Sequence, residues 1–205
     1  DEIQVTWVSA AGTVVTPTIH GDAEFVESTE VSISTEDGYK VYYTTDGTEP
    51  TNASTEYTAP FSVTATTTVK AVAYDGAAKS EVVSKTLKAL EILTCEAAAE
   101  KCAETESTDK YVVRGYVTEL VDGGYNATYN NTNLWMADTK NGGQVLQAFR
   151  LIPVSNVEKT LVVGDYVEAI GSLVLWSDGT KEIKIVAKIF RLFSIFAFKI
   201  KRSFQ

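Results

Sequence analysis

Apolar residues recur at every second position in run after run of this chain, and glycine, aspartate or proline closes each run. Val31 and Ile33 alternate with serine and threonine, Val41 and Tyr43 alternate across residues 39–45, and Val69, Ala71 and Ala73 alternate across 68–74. A period of two places one face of a segment in a core and the other in water, so these segments are strands. Asp46 with Gly47 and Asp75 with Gly76 turn the chain, and Pro50 and Asn52 lengthen the first of these loops. Phe61 with Val63 and residues 82–87 complete the set. Short strands at such spacing build a two-sheet sandwich. Residues 1–16, with Val5, Trp7, Val14 and Val15, read as a further strand or an extended leader.

A second series begins at Tyr111. Val113, Gly115 and Val117 alternate with Val112, Arg114 and Tyr116, and strands follow at 133–137, 144–149, 166–176 and 182–187. Gly164 and Asp165 make a tight turn into the longest of these, and Gly171 is where that strand bends to close a barrel. Between the two series, residues 94–104 predict a helix, with Thr94 as cap and Ala97, Ala98, Ala99 and Ala103 as helix formers; the polar run 104–109 ends it. This helix is the expected seam between two domains. Two helical turns hold Cys95 and Cys102 roughly 10 Å apart, too far for a disulfide, so both are expected to be free thiols.

Two resemblances fit these segments. The run from Val41 to Thr51, Val-Tyr-Tyr-Thr-Thr-Asp-Gly-Thr-Glu-Pro-Thr, and the later run Thr-Val-Lys-Ala-Val-Ala at 68–73 resemble the C-terminal domain of chitobiases and β-hexosaminidases. That resemblance covers about residues 17–88. It implies an immunoglobulin-like sandwich without those enzymes' catalytic residues, a module that rides beside others in secreted bacterial proteins. Residues 91–188 resemble OB-fold domains of bacterial cell-envelope proteins, through the run 163–173, the strand from Tyr111 to Leu120 and the helix before it. The expected fold is therefore mostly β: an immunoglobulin-like β-sandwich over 1–88, then an OB-type β-barrel over 89–205 with an N-terminal helix and a basic C-terminal tail.

Charge narrows the partners. The net charge is −9, yet residues 188–205 carry five basic side chains and no acidic one, while residues 89–187 carry fourteen acids against eight bases. A polyphosphate is repelled by such a barrel, and nucleic acid is an unexpected partner. The apolar stretch 189–200 is broken by Arg191 and Lys199 and is too short to span a bilayer. The chain starts at Asp1 rather than Met, which fits an export signal already removed. The expected location is the periplasm or cell surface, with a lipid anchor on the removed N-terminus as one form of it.

No catalytic constellation stands out. The acids fall in no distinctive pair, His20 is the single histidine and sits beside a turn, and no glycine-rich loop leads into a helix. Two thiols and one histidine make a poor zinc set, so no metal or cofactor is expected. Asp46 is read as a turn former rather than as a cation ligand with Asp37 and Glu49. Binding candidates are aromatic and basic: Tyr125 and Tyr129 in a Gly- and Asn-rich loop at 122–133, Trp176 at a strand end, and Arg114 and Arg150. Alternation with Leu134 and Met136 leaves Trp135 open to either core or surface. The leading expectation is a non-enzymatic exported binding or accessory protein whose ligand is a glycan or a surface protein, of unstated oligomeric state. The alternatives are a nucleic-acid-binding OB protein and the non-catalytic part of a larger secreted hydrolase.

Overall fold

The computed structural model describes residues 14–153, 155–156, 158–184 and 188–191. The expected leader strand with Val5 and Trp7, and the tail from 192 on, lie outside these residues. The chain divides into two compact units between Ala89 and Leu90. The fold class is mostly β, with one short α-helix.

The first unit is a β-sandwich. One sheet holds β1 (Thr18–His20), β3 (Thr29–Ser34) and β6 (Phe61–Val63) in the order β1-β3-β6. The other runs β2 (Glu24–Phe25), β9 (Val83–Ala89), β7 (Thr67–Asp75), β4 (Lys40–Thr44) and β5 (Thr55–Glu56), with β8 (Ala78–Lys79) beside β7. Ile19, Val31, Ile33 and Val63 from the first sheet meet Phe25, Val41, Val69, Ala71, Ala73 and Leu87 from the second in a single buried cluster. Val31, Ile33, Val41, Val69, Ala71 and Ala73 among them are the positions the alternation selects, because a strand sends successive side chains to opposite faces. Four elements of two or three residues, β1, β2, β5 and β8, carry no periodic signal and were not expected.

The second unit is barrel-like. The strands β11 (Tyr111–Asn126), β12 (Asn131–Ala137), β13 (Leu146–Pro153), β14 (Tyr166–Leu175) and β15 (Lys181–Lys184) pair in the closed circuit β11-β12-β13-β15-β14-β11. All of these pairings are antiparallel except β13 with β15. Closure needs strands that change partner along their length. β14 pairs with β11 as far as Gly171 and with β15 from Ser172 on. Gly171 permits that switch through space rather than backbone hand, since a Cβ there would overlap the Lys184 carbonyl oxygen. Strand β16 (Lys188–Arg191), at the start of the basic tail, pairs with β14 and β13.

Strand β10 (Glu91–Leu93) leads to helix α1 (Cys95–Lys101). The helix is shorter than expected and belongs to the second unit, a few residues past the boundary. Cys95, Ala98 and Ala99 belong to the same buried cluster as Val113, Val117, Leu134 and Met136, inside the second unit. Its N-terminus is held twice: the Thr94 hydroxyl accepts the Ala97 N–H at 3.1 Å, and Asp138, at the end of β12, accepts the N–H groups of Cys95 and Glu96. A Cβ at Gly115 would overlap the Cys95 sulfur, so that glycine is what lets the helix dock. The helix stops at Lys101 because the following backbone is used elsewhere. Leu175 donates its N–H to the Ala103 carbonyl, and Ser107 donates its own to the Leu173 carbonyl, which ties the stretch 103–107 to β14. Both cysteines are free; burial, reinforced by the Asp138 carboxylate, pushes the Cys95 thiol far above its usual range.

Candidate functional site

In the sandwich the conspicuous motif is spent on itself. Asp46 Oδ1 accepts both the backbone N–H and the hydroxyl of Thr48, at 3.0 and 2.6 Å, and the Thr44 hydroxyl donates to the Thr48 carbonyl at 2.6 Å. Gly47 has φ +79°, the left-handed turn position. These bonds hold the Asp46 carboxyl below its ordinary value. Glu49 is ion-paired with Lys70. No three His, Cys, Asp or Glu side chains gather into a metal-binding group among the described residues. His20 is exposed on β1, its Nε2 at 2.8 Å from the Ser34 hydroxyl.

The barrel presents an open face. Along β12 the side chains of Thr132, Leu134 and Met136 are buried, so Asn131, Asn133 and Trp135 point outward. On β13, Leu146 and Ala148 are buried and Gln147 and Phe149 point outward, with Trp135 paired to Gln147 across the strands. Trp135 thus lies outside the core. It lines a cleft of about 590 Å³ whose other walls are Glu96, Ala99 and Glu100 of α1, Gln144 and Val145 before β13, and Asp178, Gly179, Thr180 and Lys181 in and after the β14–β15 turn. That turn is locked by Thr180 donating to Asp178 Oδ1 at 2.9 Å and by paired backbone bonds between Trp176 and residues 179–180. Trp176 opens the turn with 46% of its surface exposed. Near it lies Glu182, 3% exposed, one of whose oxygens has no hydrogen-bond partner. Burial raises the Glu182 carboxyl, against the weaker opposing pull of its Trp176 hydrogen bond and of Lys184 and Arg150.

A second cavity, of about 530 Å³, occupies the same face at the β11–β12 turn. Asp122, Asn126, Tyr129, Asn131, Asn133, Phe149 and Arg150 line it. The stretch 122–133 is not the open loop expected: β11 runs to Asn126 through a register irregularity between Val121 and Tyr125, and β12 starts at Asn131. Its glycines fit this, since Gly123 and Gly124 take positive φ inside the strand end and curl it. Tyr125 is half-buried, its hydroxyl donating to Asn130 Oδ1 at 2.8 Å and its ring covered by the Lys159 ammonium at 5.2 Å. It braces the turn rather than offering a free ring. Tyr129, with 73% of its surface exposed, does offer one.

Arg150 sits at a β-bulge. Thr132 pairs with Leu151 and Leu134 with Ala148, so Phe149 and Arg150 together oppose Asn133. Strict alternation would turn Arg150 inward after Phe149. Its backbone instead takes φ +56°, which costs an arginine on the order of 1–3 kcal/mol, and its side chain is exposed with the guanidinium 5.0 Å from the Phe149 ring centre. Arg114, by contrast, is on the β11–β14 pair, its Nε bonded to the buried Glu168 carboxylate at 2.7 Å. The structure therefore brings Trp135, Tyr129 and Arg150 to one sheet face, places Trp176 at the neighbouring turn, and leaves Arg114 and Tyr125 in supporting contacts. Sequence reasoning passed over Phe149, Asn126, Asn133 and the cleft around Trp135.

Residues 21–86 match the family model of the chitobiase/beta-hexosaminidase C-terminal domain. The match coincides with the sandwich and stops before the barrel that carries the open face. No curated protein matches the chain. Among the described residues no helix is long and apolar enough to cross a membrane.

Proposed function

We propose that the chain is a non-enzymatic, exported glycan-binding protein whose ligand lies across the outer face of β12 and β13, with the sandwich as a companion module. The observation that carries this reading is Trp135, an outward aromatic ring in a cleft walled by side-chain donors and acceptors. An apolar sugar face stacks on such a ring, while hydroxyls take the surrounding polar groups. The barrel is read as an OB-type module: its five strands close in that type's order, and OB barrels bind oligosaccharides or oligonucleotides on the face of strands two and three, between the loops joining strands one to two and four to five. Here those strands are β12 and β13, and those loops carry Tyr129 and Trp176. A saccharide is favoured over an oligonucleotide because Glu96, Glu100 and Asp178 line the Trp135 cleft against one base, Lys181. Support from the sandwich is its likeness to a domain named for enzymes that act on amino-sugar glycans.

Titration of the full chain with neutral oligosaccharides, followed by tryptophan fluorescence, tests this. Binding should weaken about tenfold or more in Trp135→Ala, the loss of one stacked ring. No turnover of the bound sugar should accompany it. Binding of single-stranded DNA that persists at physiological salt, with no saccharide bound, would overturn the reading.

A further inference from the structure

The cavity beside Tyr129 differs chemically from the Trp135 cleft in a way that names its occupant. Its side chains are mainly donors. Asn126 Oδ1 is occupied by the N–H groups of Thr128 and Tyr129, at 3.0 and 3.2 Å, and Asn133 Oδ1 by the N–H of Arg150 at 2.6 Å. With both carbonyl oxygens committed, each amide turns its NH2 group outward, and neither NH2 has a partner among the described residues. The Arg150 guanidinium makes no ion pair within 4 Å among the described residues, and its electrostatic partner there is Glu182, whose carboxyl it pulls down only weakly against burial. Asp122 is the one acid in the lining, and the bulge that re-aims Arg150 is held at positive φ.

We propose that this cavity is a carboxylate subsite, in which Arg150 takes the acid group of a uronic-acid residue. This rests on the glycan reading of the same face. An arginine laid over an aromatic ring keeps the edge of its fork free, and that edge fits a carboxylate through two parallel N–H···O bonds. The Asn126 and Asn133 NH2 groups add donors for the remaining acceptors, Tyr129 offers a ring for the sugar's apolar side, and Asp122 accepts from ring hydroxyls. Asn133 and Trp135 are two residues apart on the same side of β12, a spacing of roughly 7 Å, so one chain of sugars can reach both cavities. The ligand is then an acidic oligosaccharide read at two points, a neutral ring on Trp135 and a carboxylate at Arg150.

The test compares oligogalacturonate, its carboxyl-reduced neutral counterpart and a thymidine oligonucleotide, each titrated calorimetrically into the full chain and into Arg150→Gln, Arg150→Gly and Trp135→Ala. The uronate should bind about 10- to 100-fold more tightly than its reduced form, and both Arg150 variants should remove that preference by weakening the uronate far more than the neutral sugar. Arg150→Gly should also be at least as resistant to heat as the parent, since it relieves the positive φ; a purely structural arginine would give a less stable variant. If the neutral sugar binds through Trp135 with no preference for carboxylate, the subsite is wrong and the broader reading stands. If neither sugar binds, both fall. Oligonucleotide binding that depends on Arg150 would assign the cavity to phosphate and overturn the proposal.

Discussion

The two units use the same elements, mostly antiparallel strands and tight turns, but they differ in what their turns leave over. In the sandwich the Asp46–Thr48 turn consumes its own donors and acceptors, and Glu49 is tied to Lys70. In the barrel, amide groups of the β11–β12 turn and its neighbour Asn133 are half-used, a guanidinium is aimed outward by a bulge, and Trp135 and Tyr129 present rings. A turn that satisfies itself holds a fold; a turn with unspent donors on a rigid sheet can hold a ligand. The unit with a family match is the self-satisfied one, which is why the match says so little about what the chain binds.

The largest expected effect tests whether the units are separate at all. Leu87 and Leu134 are fully buried, one in each core. Leu134→Ala should cost the barrel about 2–5 kcal/mol and leave the sandwich transition in place, and Leu87→Ala should do the reverse. Trp135 and Trp176 lie in the barrel and Trp7 falls in the first unit, so in a Trp7→Phe background tryptophan fluorescence follows the barrel while far-ultraviolet circular dichroism follows both. If either substitution moves both transitions together, the comparison between independent units breaks.

A smaller effect distinguishes two uses of glycine. At Gly171 the obstacle is space, because the Lys184 carbonyl oxygen occupies the position of a Cβ, with Ile183 Cγ1 at 3.1 Å. Gly171→Ala should therefore cost about 1–3 kcal/mol as overpacking at the strand crossover. At Gly47 space is ample, the nearest Thr68 carbon being 3.8 Å from the Cβ position, and the obstacle is φ +79°. Gly47→Ala should cost about 1–2 kcal/mol through backbone strain alone. Urea unfolding of the two variants checks this. No loss of stability in Gly171→Ala would mean that β14 changes partner without close backbone contact.

How much of this was legible follows from the range of the forces involved. Period-two alternation is local, and it selected Val31, Ile33, Val41, Val69, Ala71 and Ala73 for the sandwich core. It also contained the answer for Trp135, since a residue between buried Leu134 and Met136 on a strand must face the other way. Nothing local marks the bulge at Arg150: no glycine or asparagine occupies the positive-φ position, and the hydrogen bond that holds it comes from Asn133, seventeen positions away. Gly115 showed as a gap in an alternation, but its cause, the Cys95 sulfur, lies on another element. The helix end was misjudged for the same reason. Alanine propensity favours continuation to Ala103, yet the β14 backbone recruits that residue's carbonyl.

The finest comparison is between two carboxyl groups that should answer pH in opposite senses. Asp46 is exposed, and its pKa is lowered from 3.8 by its bonds to Thr48. Its folded form holds fewer protons than the unfolded chain, so it supports the sandwich above the ordinary aspartate value, and this support is lost as pH falls through the lower folded value. Glu182 is buried, and its pKa is raised above 4.5 by desolvation. Its folded form holds more protons than the unfolded chain, so its contribution to the barrel is intact below about 4.5 and declines as pH rises from there toward the folded value. Other barrel acids complicate a simple profile; Glu106, for one, is lowered by Lys184 and Ser172. The useful measurement is therefore the difference between variant and parent, in which common groups cancel. The barrel midpoint of Glu182→Gln, relative to the parent, should rise as the pH climbs above about 4.5 and level off above the raised folded value. The deficit of Asp46→Asn in the sandwich should instead be full at neutral pH and shrink only in strong acid. A flat difference profile for Glu182→Gln would mean that Lys184, Arg150 and the Trp176 indole together hold that carboxylate ionised, and that the barrel's outer face is wetter around Trp176 than its burial implies.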